Sequence, residues 1–274
     1  LSSGNVTIMG STAPGAGITL DAKNIGYRCL DLDASNVIIE NIRFRNAQGE
    51  LVLVSGGSNM VFDHCSFTWN GDGALDLNGG VWGAGVNHIT INRCLFGGAE
   101  ELSRSHGHQI TWMYNLFTSC NRRQPKIALG GPDYNLQCNY IRKWCNTATH
   151  IEGGNGGINV INNYYGPPYP TESWTVALYN SGADANNIYT AGNAHAPDAG
   201  DHPPRGDYNA NNVGLATVPQ VLEEPPVPVT LINAEDVPAS VLASVGAQPS
   251  DSHDLAWITG SYTGRDHTIG GEGP

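Results

Sequence analysis

Asn115-Leu116-Phe117, Asn139-Tyr140-Ile141 and Asn163-Tyr164-Tyr165 recur at intervals of 24 residues. In each, an Asn stands two places before a large apolar or aromatic residue. A period of about 20–30 residues marks a solenoid, in which every repeat is one coil of a stack. Coils stacked at strand spacing lie about 4.8 Å apart, within reach of a side-chain amide. An Asn at one point of every coil can therefore bond to its copies above and below.

The pattern extends both ways. Residues 37–44, 60–67 and 89–96 superpose on 110–117, and later copies occupy 135–141, 157–165 and 187–193. The ladder position then reads Ile42, Cys65, Cys94, Asn115, Asn139, Asn163 and Asn193. Each copy is a short strand of β-branched and aromatic residues between Gly, Asn and Ser turns. A second, shorter strand per coil is visible at 29–32, 51–54, 74–77 and 126–129. Identical faces recur, so adjacent coils should pair in parallel. The expected fold is all-β: a right-handed parallel β-helix (solenoid) over residues 1–195, with an irregular, Pro-rich, acidic C-terminal extension over 196–274. That extension should strap along the solenoid and carry a short helix near 235–245. A β-sandwich would not repeat one residue at one point of successive strands.

Gly contributes 35 of 274 residues, as a turn-dense fold requires, and only 14% of residues are charged. The net charge of −12 argues against nucleic acid and anionic membrane surfaces as partners. No apolar run is long enough to span a bilayer. The chain opens inside a strand pattern, without an initiator Met, a signal peptide or a visible cap over the first coil. It therefore reads as a processed product or a fragment of a longer protein.

The six cysteines form no C-x-x-C pair, which argues against a structural zinc site. Cys65 with Cys94, and Cys120 with Cys145, fall at matching points of neighbouring coils. They read equally as disulfides or as small buried thiols.

The charges are clustered. Seven of thirteen basic residues lie between Arg93 and Lys143: Arg93, Arg104, Arg122, Arg123, Lys126, Arg142 and Lys143. A basic patch on an acidic protein suggests a local anionic ligand, with Arg142 and Lys143 better read as surface solubility. Among the acids, Asp72 and Asp76 flank a Gly-containing bend in Gly71-Asp72-Gly73-Ala74-Leu75-Asp76. Glu50 opens the equivalent strand one coil earlier, and Asp63 lies between them in sequence. Clustered carboxylates repel one another, and a hard divalent cation with oxygen ligands, such as calcium, would relieve that. The candidate metal ligands are Glu50, Asp63, Asp72 and Asp76.

Several motifs, in order, resemble a known family. They are Asp63-His64-Cys65-Ser66-Phe67, Asp72-Gly73-Ala74-Leu75-Asp76-Leu77, His88-Ile89-Thr90-Ile91-Asn92, Tyr114-Asn115-Leu116-Phe117, Arg122-Arg123-Gln124-Pro125-Lys126 and Asn162-Asn163-Tyr164-Tyr165. Together they are similar to pectate lyases of the polysaccharide lyase 1 type, over roughly residues 5–260. The resemblance implies a secreted enzyme, expected to be a monomer, acting on an acidic polysaccharide. Carboxylates matching Asp72 and Asp76 would bind calcium with a third from the preceding coil, for which Glu50 is the best match. The Arg of the Arg-x-Pro motif, here Arg123, would take the C5 proton of a uronic acid, and the C4 oxygen would then leave by β-elimination. Neutralising the uronate carboxylate stabilises the enolate-like transition state. A guanidine base is unusual, because arginine ordinarily holds its proton to about pH 12.5; positive charge from calcium, Arg122 and Lys126 works toward its loss.

The sequence also departs from the family. Where members carry a substrate-binding Lys, residues 100–108 offer Arg104, flanked by Glu100 and Glu101, whose charges oppose a polyuronate. A second Arg expected five residues after the base is replaced by Ala128, with Lys126 near enough to compensate. Two other readings fit a β-helix. One is a polygalacturonate hydrolase, for which the adjacent acid–base carboxylate pair is missing. The other is a glycan-binding module without catalysis.

Overall fold

The computed structural model describes residues 1–24, 26–78, 85–128, 134–153, 156–168, 176–183, 187–196 and 230–262. These residues form a parallel β-helix whose coils each contribute to three faces. The first face holds the strands Val6–Met9, Val37–Glu40, Val86–Asn92, His108–Met113, Tyr134–Gln137, Ile158–Ile161 and Ile188–Ala191. The second is an eight-stranded sheet running from Ile18–Asp21 to Ala194–His195. The third holds Leu30–Asp33, Leu75–Asn78, Ser103–His106, Lys126–Ala128, Thr147–Glu152 and Val176–Ser181. One long strand, Val52–Asp63, rounds a corner and belongs to both the third and the first face. Every pairing between coils is parallel, as the recurring faces require.

The ladder forms as read. Asn115, Asn139, Asn163 and Asn193 stack, and the Nδ2 of each of the first three donates to the Oδ1 of the next at 2.9–3.0 Å. The residue two places on points inward. Phe44, Phe67, Phe96 and Phe117 stack ring on ring with centroids 4.8–5.1 Å apart, and Ile141 and Tyr165 continue the column in register. The corner before each rung is a left-handed residue: Asn41, His64, Arg93, Tyr114, Cys138 and Asn162 all have φ between 48° and 55°. A single residue in that conformation turns the chain sharply without interrupting pairing on either side.

All six cysteines are free thiols. Cys65 and Cys94 stack at their rungs, with the Cys65 N–H donating to Cys94 Sγ at 3.4 Å. The short helix expected near 235–245 is present as α1 (Val237–Leu242), preceded by a turn of 3-10 helix at Ala234–Asp236. A second helix, α2 (Ser252–Thr259), lies on the outer side of the second sheet. Arg142 and Lys143, read as solubilising, instead hold the end of α2. Arg142 donates to Trp257 O and Ile258 O, and Lys143 Nζ to Gly260 O and Tyr262 O, at 2.7–3.2 Å. The Pro-rich stretch at 197–229 and the residues after 262 lie outside the described residues.

Candidate active site

The third face gathers the chemistry. Strand pairing puts Leu53, Asp76, Arg104, Lys126, His150 and Tyr179 on one straight row, one residue per coil. Successive members sit about 4.8 Å apart at the backbone. Two residues along each strand, on the same outer side, run Asn78, His106, Ala128 and Glu152. Period-two alternation fixes this: in Ser103-Arg104-Ser105-His106 the serines are buried inward, so Arg104 and His106 face out together.

The row is bound together by its own charges. The main-chain N–H of Arg104 donates to Asp76 Oδ1 at 2.9 Å, and Arg104 Nε donates to His106 Nε2 at 3.0 Å. Lys126 Nζ pairs with Glu152 Oε2 at 2.9 Å. Burial, then the charges of Arg104 and Lys126, push His106 down to about 4, which keeps its ring a neutral acceptor for Arg104. Burial and Lys126 likewise push His150 down to about 4, and its ring meets Tyr179 edge-on at 5.0 Å. Arg123 sits at the corner where the second sheet gives way to the third, in the left-handed region at φ 65°. Glu101, at the end of the strand Leu95–Glu101, accepts from Arg122 Nε at 2.9 Å through Oε1 and pairs with Arg123 through Oε2.

The expected metal ligands divide. Burial, reinforced by Glu50 and Asp72, pushes the Asp76 carboxyl up to about 7. Three acids thus share one field, and an oxygen-loving dication would relieve it. Their donor chemistry fits such an ion, although the described residues hold no ready cluster of three ligating His, Cys, Asp or Glu side chains. Glu50 is also paired with Arg28 at 2.8 Å. Asp63 does not join them. It ends the long strand on the first face, where it pairs with His64 Nδ1 at 3.0 Å and accepts from Asn92 Nδ2 at 2.7 Å. The bend in Val52–Asp63 carries it there: Leu53 pairs with Asp76, but Asp63 pairs with Asn92.

Sequence reasoning missed Glu101, Glu152, His106 and His150. For the last three the available signal was the two-residue spacing of His106 from Arg104 and of Glu152 from His150. Glu101 was read as repelling substrate, whereas its carboxylate is engaged by two arginines.

No family model matches the chain. A probable pectate lyase C of Neosartorya fischeri is 26% identical over 294 residues, covering 98% of this chain and 66% of its own length. The Aspergillus oryzae protein of the same name is 30% identical over 173 residues, covering 58% and 38%. A pectate trisaccharide-lyase of Thermotoga maritima is 28% identical over 133 residues, covering 40% and 35%. The chain spans about two fifths to two thirds of the length of these fungal relatives. Among solved structures, a pectate lyase bound to a hexasaccharide superposes with TM-score 0.64 at 18% identity, covering 89% of this chain and 67% of that one. A pectate lyase studied for its anti β-elimination mechanism gives 0.65 at 18% identity, covering 90% and 68%.

The fold is that of a parallel β-helix, with a row of charged side chains along its third face. In sequence the chain is similar to curated pectate lyases, and it shares its fold with solved ones. Among the described residues no helix is long and apolar enough to cross a membrane.

Proposed function

We propose that this chain is a lyase that cleaves polygalacturonate by β-elimination on its third face. One observation carries the reading: Asp76, Arg104 and Lys126 stand in register on consecutive coils, with Arg123 at the adjoining corner. A polyuronate laid across them would meet cations at coil spacing. Arg104 and Lys126 hold and orient the uronate carboxylates, and Arg122 adds positive charge at the rim. Arg123 takes the C5 proton, the C4–O bond breaks, and an unsaturated uronide is left without consumption of water. Asp76, with Asp72 and Glu50, would hold a calcium ion, which supplies charge neutralisation of the uronate carboxylate when bound. A polymer of this size does not enter cells, so the protein is expected to act outside them.

A second reading is favoured by the pairing of Arg122 and Arg123 with Glu101 and of Lys126 with Glu152: a module that binds uronate polymers without turning them over. The test is ultraviolet absorbance of the conjugated product on polygalacturonate at alkaline pH, with calcium or chelator, for wild type and Arg123→Ala. A calcium-dependent rise that the variant lacks supports the lyase. Binding of oligogalacturonate with no rise supports the second reading.

A further inference from the structure

We infer that Glu101 is a positioning residue for Arg123, an inference resting on the lyase reading above. The backbone around Arg123 is pinned on both sides. Ser103 N–H donates to Arg123 O at 3.2 Å, Gln124 N–H to Ala148 O at 2.7 Å, and Gln124 itself is fully buried. The side chain is a different matter. A guanidinium on a three-carbon stem has several rotamers open to it, and its main fixed partner among the described residues is Glu101.

Glu101 is built for that task. It is 6% exposed, whereas the Arg122 side chain is 48% exposed, so the carboxylate lies beneath the arginines rather than in the groove. It stands opposite Arg122 in the strand register, and its two oxygens are divided between the two guanidinia. A single buried carboxylate thus separates two like charges and fixes the direction of each. It carries the same sign as a uronate, so its role is through Arg123 and not through the polymer. The neighbouring Glu100 takes no part; its Oε1 accepts from Asn121 Nδ2 at 2.6 Å. Without Glu101, the Arg123 side chain loses its main fixed partner among the described residues and is free to swing away from the C5 proton. A misplacement of about 1 Å at a reacting group costs on the order of a hundredfold in rate.

The test compares wild type with Glu101→Ala, Glu101→Gln and Glu101→Asp on polygalacturonate. In Glu101→Ala, kcat should fall by roughly ten- to hundredfold while KM stays level, because Glu101 acts through Arg123 and not on the polymer. Glu101→Gln keeps one acceptor and should lose less. Added formate should restore part of the Glu101→Ala rate by refilling the space between the arginines. A kcat for Glu101→Ala within about twofold of wild type overturns the inference. So does a loss that formate does not touch and that matches a fall in melting temperature. If wild type shows no turnover, the lyase reading fails separately. Glu101 is then judged by nitrogen-15 NMR of the arginine guanidinium groups, assigned with Arg123→Lys. A slowly rotating Arg123 signal that vanishes in Glu101→Ala supports the hold, and one that persists sinks it.

Discussion

Asn139 shows how much one buried amide does. Its Oδ1 accepts both the main-chain N–H and the Nδ2 of Asn115, and its Nδ2 donates to Trp112 O and to Asn163 Oδ1. Asn139→Ala strands two donors of Asn115 in a dry interior, at about 1–3 kcal/mol for each orphaned group. Urea unfolding should therefore show a loss of at least about 2 kcal/mol; a loss below about 1 kcal/mol would mean that the strands, not the amides, hold the coils. The two histidines of the third face give a second expectation. Arg104, Lys126 and Arg123 oppose protonation of His106, Lys126, Arg123 and Arg122 that of His150, and Glu152 favours both. In the unfolded chain each His takes a proton near pH 6.5, but in the fold not until about 4. The unfolded state binds more protons across that window, so these residues lower stability as pH falls from about 6.5 to 4. Asp76 titrates in the same range with the opposite sign, so the comparison is with His106→Gln/His150→Gln. Relative to wild type, the double variant should gain stability between pH 7 and pH 5 by chemical denaturation. An unchanged difference would show that the rings are protonated in the fold.

The helix α2 is an element held at both ends by charge. Asp254 is fully buried and accepts from Arg43 Nε and Arg45 Nη2, each at 2.8 Å, and from Ser66 Oγ at 3.0 Å. Asp251 caps the helix through the N–H groups of His253 and Asp254, and also takes both terminal nitrogens of Arg45. Although burial opposes it, the Arg45 hydrogen bond holds Asp251 down at about 2. Acids at the N-terminus and Arg142 and Lys143 at the C-terminus match the helix dipole. Trp257 fills the space over Gly98, where φ is +73° and a Cβ would come within 2.8 Å of the ring. Asp254→Ala removes the fully buried carboxylate between Arg43 and Arg45, leaving Asp251 alone to face both guanidinia, and should cost about 3–5 kcal/mol. Limited proteolysis should then cut near α2 while the ladder coils persist; protection equal to wild type would refute the anchoring role. The sequence did not disclose this helix, because its pattern is not amphipathic in the usual sense. The inward position is an Asp, whose burial depends on arginines more than 200 residues earlier.

For the whole molecule, calcium offers the cleanest test of the acidic cluster. Calcium should raise the melting temperature of wild type, chelator should reverse it, and Asp76→Asn should abolish the shift. An equal shift in Asp76→Asn would place the ion elsewhere. The solenoid was legible because Asn115, Asn139 and Asn163 repeat one chemical solution, and the column of Phe44, Phe67, Phe96 and Phe117 repeats another. The site was legible only in part. Asp72, Asp76, Arg104 and Lys126 could be assigned to one face, but which charges meet depends on cross-coil register, and coils differ in length: Asp76 to Arg104 spans 28 residues, Arg104 to Lys126 only 22. Asp63 was misplaced for the same reason, since a strand that rounds a corner changes face without a break in its pattern. The uneven spacing has a further consequence. Asn163 and Asn193 are 30 residues apart rather than 24, yet Ile161 pairs with Ala191 and Tyr164 with Ala194 without a slip. Surplus chain is confined between rungs like a parenthesis within a sentence. Evolution, or a protein engineer, is thus free to rewrite the text inside the brackets, and so to reshape what the groove admits, without disturbing the grammar of the stack.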